Sequence, residues 1–266
     1  MRMNSPLHYV RLARAFARVG VLRKTQFRVE FLCQVLMDAF WYSIHILTFE
    51  ILFAHTDAIA GWSKGEVRVF LGFLFVSDAF WMMWLGQGWH FGRELKDGVL
   101  DTVRMRPGSP IFMYFFQRFS LEAVVNSAMA WAWLAYALVD YYQGLPLRVV
   151  ALVAWGAVLS FWGRTVLSVL FTISEFYVVN SDLSNVGWEV SMTMADRPAD
   201  VFPLRYRQFL TSVVPIAAVS TIPAAMALGR MGLLEAVAHT AWLLALGLAV
   251  FRLWRASFRR YNSALG

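Results

Sequence analysis

The chain has 266 residues, 59% hydrophobic and 15% charged, with a mean hydropathy of +0.54 and a formal net charge of +7. Soluble domains carry roughly 25% charged residues, so this is the composition of an integral membrane protein with about six crossings, which leaves no stretch for a soluble domain. The basic residues flank apolar runs and form no separate polar domain, which argues for orientation in a membrane and against a nucleic-acid partner.

A helix over residues 5–24 is expected first. Leu12, Phe16 and Val19 share one face, while Arg11, Arg14 and Arg18 lie roughly 130° away at 3.6 residues per turn. Such a helix lies in the membrane interface, its arginines toward lipid phosphates. Arginines also replace the continuous apolar core of a signal peptide, so the segment is expected to be retained. Apolar runs follow at 29–53, 66–90, 111–142, 147–176, 207–228 and 236–254, each long enough to cross. With the N-terminus inside, nineteen of the 24 Lys and Arg residues fall in inner segments and four (Lys64, Arg68, Arg148 and Arg230) in outer ones. That split places both termini in the cytoplasm. In the fifth run Pro215 and Pro223 each remove a backbone donor, so this segment either kinks or re-enters.

Between the second and third runs lies FGRELKDGVLDTVRMRPGSP, residues 91–110. Arg93, Glu94, Lys96, Asp97, Asp101, Arg104 and Arg106 carry both signs of charge, and Leu95, Val99, Leu100 and Val103 recur near helical spacing. Two readings stand: a solvated loop, or a short helix flat on the membrane that ends at Pro-Gly-Ser-Pro and holds a partner by packing and charge.

Charges within the runs need partners or water. Asp38 lies roughly 15 Å from the inner edge at 1.5 Å per residue, and Asp78 falls at similar depth. They either line a polar path or bond neighbouring side chains as interhelical glue, and the second reading weighs more. Pairing the third and fourth runs about Gly144 sets Arg164 one turn from Glu122. A buried Glu122–Arg164 ion pair is expected, the alternative being Arg164 snorkelling inward. Glu175 and Asp182 read as solvated boundary residues, and Trp62, Trp89, Tyr141, Tyr142 and Trp254 as interfacial anchors. Cys33 is the only cysteine, which excludes an intrachain disulfide, and the five histidines never fall at helical ligand spacing. No metal site is expected.

The order Arg93-Glu94, Gly98, Leu100-Asp101, Arg104, Arg106-Pro107 and Ser109-Pro110 resembles the coupling-helix segment of ABC-2 type transporter permeases. Arg197-Pro198, Val201-Phe202-Pro203, Arg207, Leu210-Thr211, Val214-Pro215, Ile222-Pro223-Ala224 and Leu228-Gly229 resemble a pattern of one branch of that family, as does the terminal Phe258-Arg259-Arg260-Tyr261-Asn262-Ser263. The chain departs from the pattern at Val103-Arg104-Met105 and at Ala199-Asp200. The resemblance implies an all-α integral membrane fold, one ABC-2 type domain over residues 1–266. It has six transmembrane helices, an N-terminal interfacial amphipathic helix and a cytoplasmic coupling helix between spans two and three. It further implies that Arg93, Glu94, Asp97, Gly98, Leu100, Asp101, Arg104, Arg106 and Pro107 meet a cytoplasmic ATPase. Two ATPase copies, a second permease copy or paralogue and membrane lipids would be the partners, in the bacterial inner membrane. No G-x-x-x-x-G-K-[ST] phosphate loop occurs, so the chain is expected to be no enzyme and to hold no cofactor itself, with ATP and Mg on the partner ATPase. The function implied is that of an ATP-driven exporter permease. The alternatives are a non-transporting membrane anchor or scaffold, and an ion-coupled carrier using Asp38 and Asp78.

Overall fold

The computed structural model describes residues 6–24, 28–106, 108–178 and 183–261. In chain order the α-helices among the described residues are α1 (Pro6–Lys24), α2 (Arg28–Leu52), α3 (Lys64–Trp84), α4 (Phe91–Lys96), α5 (Val99–Arg104), α6 (Pro110–Phe115), α7 (Glu122–Tyr142), α8 (Leu147–Glu175), α9 (Leu183–Ala195), α10 (Leu204–Ser212), α11 (Thr221–Ala227) and α12 (Leu233–Arg260). A two-residue hairpin, β1 (Ala58–Ile59) with β2 (Trp62–Ser63), joins α2 to α3. Five of the described helices, α2, α3, α7, α8 and α12, are long and apolar enough to cross a membrane. The all-α membrane class expected from composition is therefore the one observed.

The helix α3 is the centre of the bundle. Val69, Phe70, Phe73, Phe75, Val76 and Ala79 are wholly buried, so its sides pack on protein where a peripheral span would meet lipid. Close approach to α7 is possible because Gly72 has no side chain: a Cβ there would lie 2.7 Å from Leu134 Cδ1. At the other extreme α2 exposes Leu36, Met37, Phe40 and Leu47; its buried side chain is Tyr42, whose ring lies 4.4 Å from that of Phe75.

Two ends of the bundle are defined by polar contacts. At the hairpin end Arg230 sits 4.4 Å over the Trp62 ring and donates to Gly61 O and Glu66, and Arg68 bridges Glu50 and Asp140. At the opposite end, which carries α4 to α6, Tyr177 and Ser257 hydroxyls meet at 3.0 Å.

The 207–228 run is not a straight crossing. Trp62 Nε1 donates to Asp200 Oδ2 at 2.9 Å and Arg207 Nη1 to Asp200 Oδ1 at 2.7 Å, which puts the start of α10 at the hairpin end. Trp242 Nε1 then donates to Ser212 O, about 14 Å down α12 by helical rise. A 3-10 turn, Ile216–Ala218, follows Pro215, and α11 climbs back until Tyr142 Oη donates to Ala227 O at 2.7 Å. The segment enters and leaves at one end, so the re-entrant alternative is the one adopted. Pro223 lies in the first turn of α11, where its missing N–H has no intrahelical acceptor to lose.

The depth of the bundle is instead traversed by α9 together with the stretch to Asp200 that follows it. Glu175 accepts from the N–H and hydroxyl of Ser184 at 2.8 and 2.9 Å at the α4–α6 end, Ser220 Oγ donates to Ala195 O and Thr221 Oγ1 accepts from Ala199 N–H at the inner turn of the re-entrant segment, and Asp200 reaches Trp62 at the hairpin end. Arg197, Arg205 and Arg207 therefore belong to the hairpin end, and the nineteen-to-four charge split becomes sixteen to seven. Two further run boundaries shift. The 66–90 run ends as a helix at Trp84 and turns through Gly86–His90, and the 111–142 run breaks between α6 and α7. Glu175, expected in solvent, is buried and caps the N-terminus of α9, where a carboxylate is favoured by the helix dipole; Asp182 lies outside the described residues. Trp62 and Trp254 are core residues, 1% and 0% exposed, whereas Trp89 and Tyr141 are exposed as boundary anchors are.

Candidate functional site

The segment of mixed charge forms two six-residue helices, α4 and α5, where one helix was expected. Gly98, with φ +69°, makes the joint, a left-handed conformation that glycine adopts without steric penalty. The apolar positions Phe91, Leu95, Leu100 and Val103 are buried, while Arg93, Lys96, Asp97, Arg104 and Arg106 are exposed. Helical spacing on each side of the joint thus separates an anchoring face from a charged face, and Asp101 lies between them at intermediate exposure.

Each anchor is identifiable. Phe91 packs edge-on against Tyr114 at 5.1 Å and against Phe176 at 5.3 Å. Tyr261 Oη donates to Leu95 O at 3.3 Å, so the tyrosine of the terminal motif clasps the last turn of α4; Asn262 and Ser263 lie outside the described residues. Gly92 lies so near Glu175 that a Cβ would be 3.0 Å from its carboxylate, which seats α4 on the end of α8. Ser109 N–H donates to Tyr9 Oη at 3.0 Å, tying α1 to the exit of the segment. Pro107 is outside the described residues.

Glu94 is turned inward, 7% exposed. Tyr114 Oη donates to its Oε2 at 2.8 Å, Gln87 Nε2 donates to the same oxygen, and Arg118 Nη2 lies 3.0 Å from Oε1. Burial first, and the Glu94 carboxylate second, push the Tyr114 phenol upward, so it remains the donor. The expected partner surface therefore loses Glu94, Gly98 and Leu100 to the interior and keeps Arg93, Asp97, Asp101, Arg104 and Arg106, with Lys96 beside them.

In α1, Leu12 and Phe16 pack on the core beneath α4 to α6, as their shared face implied. Val19 is exposed and Gly20 takes its place against Phe119. Arg11, Arg14 and Arg18 are exposed.

A second constellation sits within the bundle. Arg164 is wholly buried; its Nη2 lies 3.5 Å from Asp78 Oδ1, its Nε donates to Ser77 Oγ at 3.1 Å, its Nη1 to Met192 Sδ at 2.8 Å, and its guanidinium stands 5.0 Å from the centroid of the Trp188 ring. The ion pair expected with Glu122 is thus formed with Asp78, and Arg164 does not snorkel. The reason is that α3 is interposed: it lies against both α7 and α8, and Asp78 is level with Arg164 on it. Trp188 in turn stacks on Trp81 at 3.9 Å, and Trp81 Nε1 donates to Ser168 Oγ at 2.9 Å. Asp38 accepts from Asn126 Nδ2, which joins α2 to α7. The interhelical-glue reading of both aspartates matches these contacts. The hairpin-end departure Asp200 likewise has its donors in Trp62 and Arg207.

Searches of curated proteins and of solved structures return no match. The sequence profile described as ABC-2 family transporter protein matches residues 39–264, a stretch that takes in the anchored α4–α5 pair, the Asp78–Arg164 pair and the re-entrant α10–α11 hairpin. With most of the chain so matched, on a membrane-spanning all-α frame, this protein belongs to the ABC-2 transporter family and is a transport permease.

Proposed function

We propose that this permease is the membrane subunit of an ATP-driven exporter and that the exposed face of α4 and α5 is where a separate ATPase docks. The observation that carries the proposal is the division of this segment into a charged exposed face and a face fastened to α8, α12 and α6. A ligand that presses on Arg93, Lys96, Asp97 and Arg104 presses, through Phe91 and Leu95, on two long spans. Rigid-body rocking of packed helices is the kind of motion such a fastening transmits. ATP and Mg would be bound by the partner, and two ATPases with a second permease, either a copy or a paralogue, would complete the transporter.

Orientation follows from charge. The α4–α6 end holds the larger basic group, sixteen against seven, which favours the cytoplasm for that end and for both termini, in the inner membrane of a bacterium.

The test is co-purification with a phosphate-loop ATPase. Lys96→Glu combined with Arg104→Glu is expected to reduce the recovered ATPase severalfold, with unchanged permease stability, because both side chains are exposed. Recovery at the wild-type level would reject the docking face. Hydrolysis that never responds to any transported compound would favour a scaffold.

A further inference from the structure

We infer that the permease holds one anionic phospholipid in a groove along α8, with its headgroup on Arg255 and an acyl chain among aromatic rings. Two adjoining cavities make the groove. The first, about 290 Å³, is lined by Phe112, Phe116, Phe161, Phe251 and the exposed Arg255. The second, about 540 Å³, is lined by Phe80, Trp84, Trp131 and Val158 and shares Phe116 and Phe161 with the first. From Val169 to Ala154 on α8 the pair spans fifteen helical steps, about 22 Å at helical rise. One leaflet of hydrocarbon is about 15 Å deep, so the groove passes the level of Arg164 at the bilayer centre, and an acyl chain headed at Arg255 follows it toward Val158.

The lining states the occupant's chemistry. The far part is aromatic and aliphatic, with Phe80 and Phe161 rings 5.6 Å apart and Trp84 and Phe116 5.6 Å apart, and it contains no charged side chain. Thr165, the other hydroxyl within the near part beside Ser109, donates to Phe161 O at 2.8 Å and is thereby occupied. Arg255 is exposed at the α4–α6 end and forms no ion pair among the described residues. No carboxylate shares the cavity with it. A long apolar slot open to the bilayer, with a single uncompensated guanidinium at interface depth, matches an amphiphile with one anionic head. Guanidinium binds phosphate through paired hydrogen bonds, and phosphate is the anionic head group that bilayer lipids supply. Val158, 69% exposed, marks the open edge through which the chain enters.

The inference does not rest on ATPase docking, and its readout is lipid alone. The permease would be placed in nanodiscs of mixed phosphatidylglycerol and phosphatidylcholine, and the retained lipid counted by native mass spectrometry. One phosphatidylglycerol is expected per permease. Arg255→Gln should lower its retention about fivefold, the effect of one basic residue at a lipid surface, and Arg252→Gln, outside the groove, should leave it unchanged. Val158→Trp, on the open edge, should expel lipids of either head. Retention unaffected by Arg255→Gln and Val158→Trp would overturn the assignment, as would equal losses from Arg252→Gln and Arg255→Gln. In a Cys33→Ser background, efficient Val158→Cys disulfide cross-linking between permeases would overturn it too, since a second copy would then fill the slot.

Discussion

Arg164 is the residue whose environment decides most. An unpaired guanidinium at the centre of a span costs about 2.5–3.5 kcal/mol on insertion scales and more in simulations, and removing one partner of a buried pair costs about 3–5 kcal/mol. Asp78→Leu is therefore expected to lower the detergent-solubilised unfolding midpoint strongly, and Asp78→Leu with Arg164→Met to recover most of it. A double variant that loses as much as Asp78→Leu and Arg164→Met together would show that the two side chains do not depend on each other. The need for a partner was legible from Arg164 alone, and so was its depth. The partner's identity was not, because pairing consecutive helices selects α7, and only the placement of α3 between its neighbours brings Asp78 into range. Glu94 illustrates the converse: a carboxylate flanked by Arg93 and Lys96 reads as surface, and nothing nearby in sequence announces Tyr114 or Arg118 as its company.

Among the elements, the α4–α5 pair was legible in its faces and illegible in its joint. Periodicity marks Leu95, Leu100 and Val103 as buried, but a glycine inside a helical pattern leaves its own φ undetermined. Gly98→Ala forces an L-residue into the left-handed region, at about 1 kcal/mol. Faster hydrogen exchange in residues 99–104 is expected, with α8 and α12 unchanged; protection equal to wild type would mean that the joint has no need of glycine. The exchange of roles between α9 and the 207–228 run has a different origin. Hydropathy scores apolar content without knowing whether lipid or protein surrounds it. Ala218, Val219 and Pro223 are buried because Gly163, Ser160 and Gly156 on α8 receive them. Meanwhile α9 carries Ser184, Asn185, Glu189 and Ser191, which dilute its score although its Trp188 face is buried.

At the scale of the whole molecule, the contacts of Asp200 and Arg230 bring three separate stretches to one end: the α2–α3 hairpin, the 196–207 segment and the α11–α12 turn. An impermeant thiol reagent applied to single-cysteine variants in a Cys33→Ser background is expected to modify Arg205→Cys and Asp57→Cys from the same side, and Lys96→Cys from the other. Joint modification of Arg205→Cys and Lys96→Cys would return the segment to the opposite end and restore a straight fifth crossing. The class of the fold and the existence of two unlike ends were readable from composition and charge. The path of the chain between Glu175 and Arg230 was not, since it depends on contacts more than a hundred residues apart, such as Trp62 with Asp200.

The face-to-face indoles of Trp81 and Trp188, inclined by 14°, have a consequence beyond packing. Two chromophores held this closely share their excited states, and the arrangement joins α3, the fixed centre, to α9, the short helix beside it. Any working stroke that slid one past the other would uncouple the pair and alter the circular dichroism of the permease, so a gauge of that sliding is already written into its own absorption.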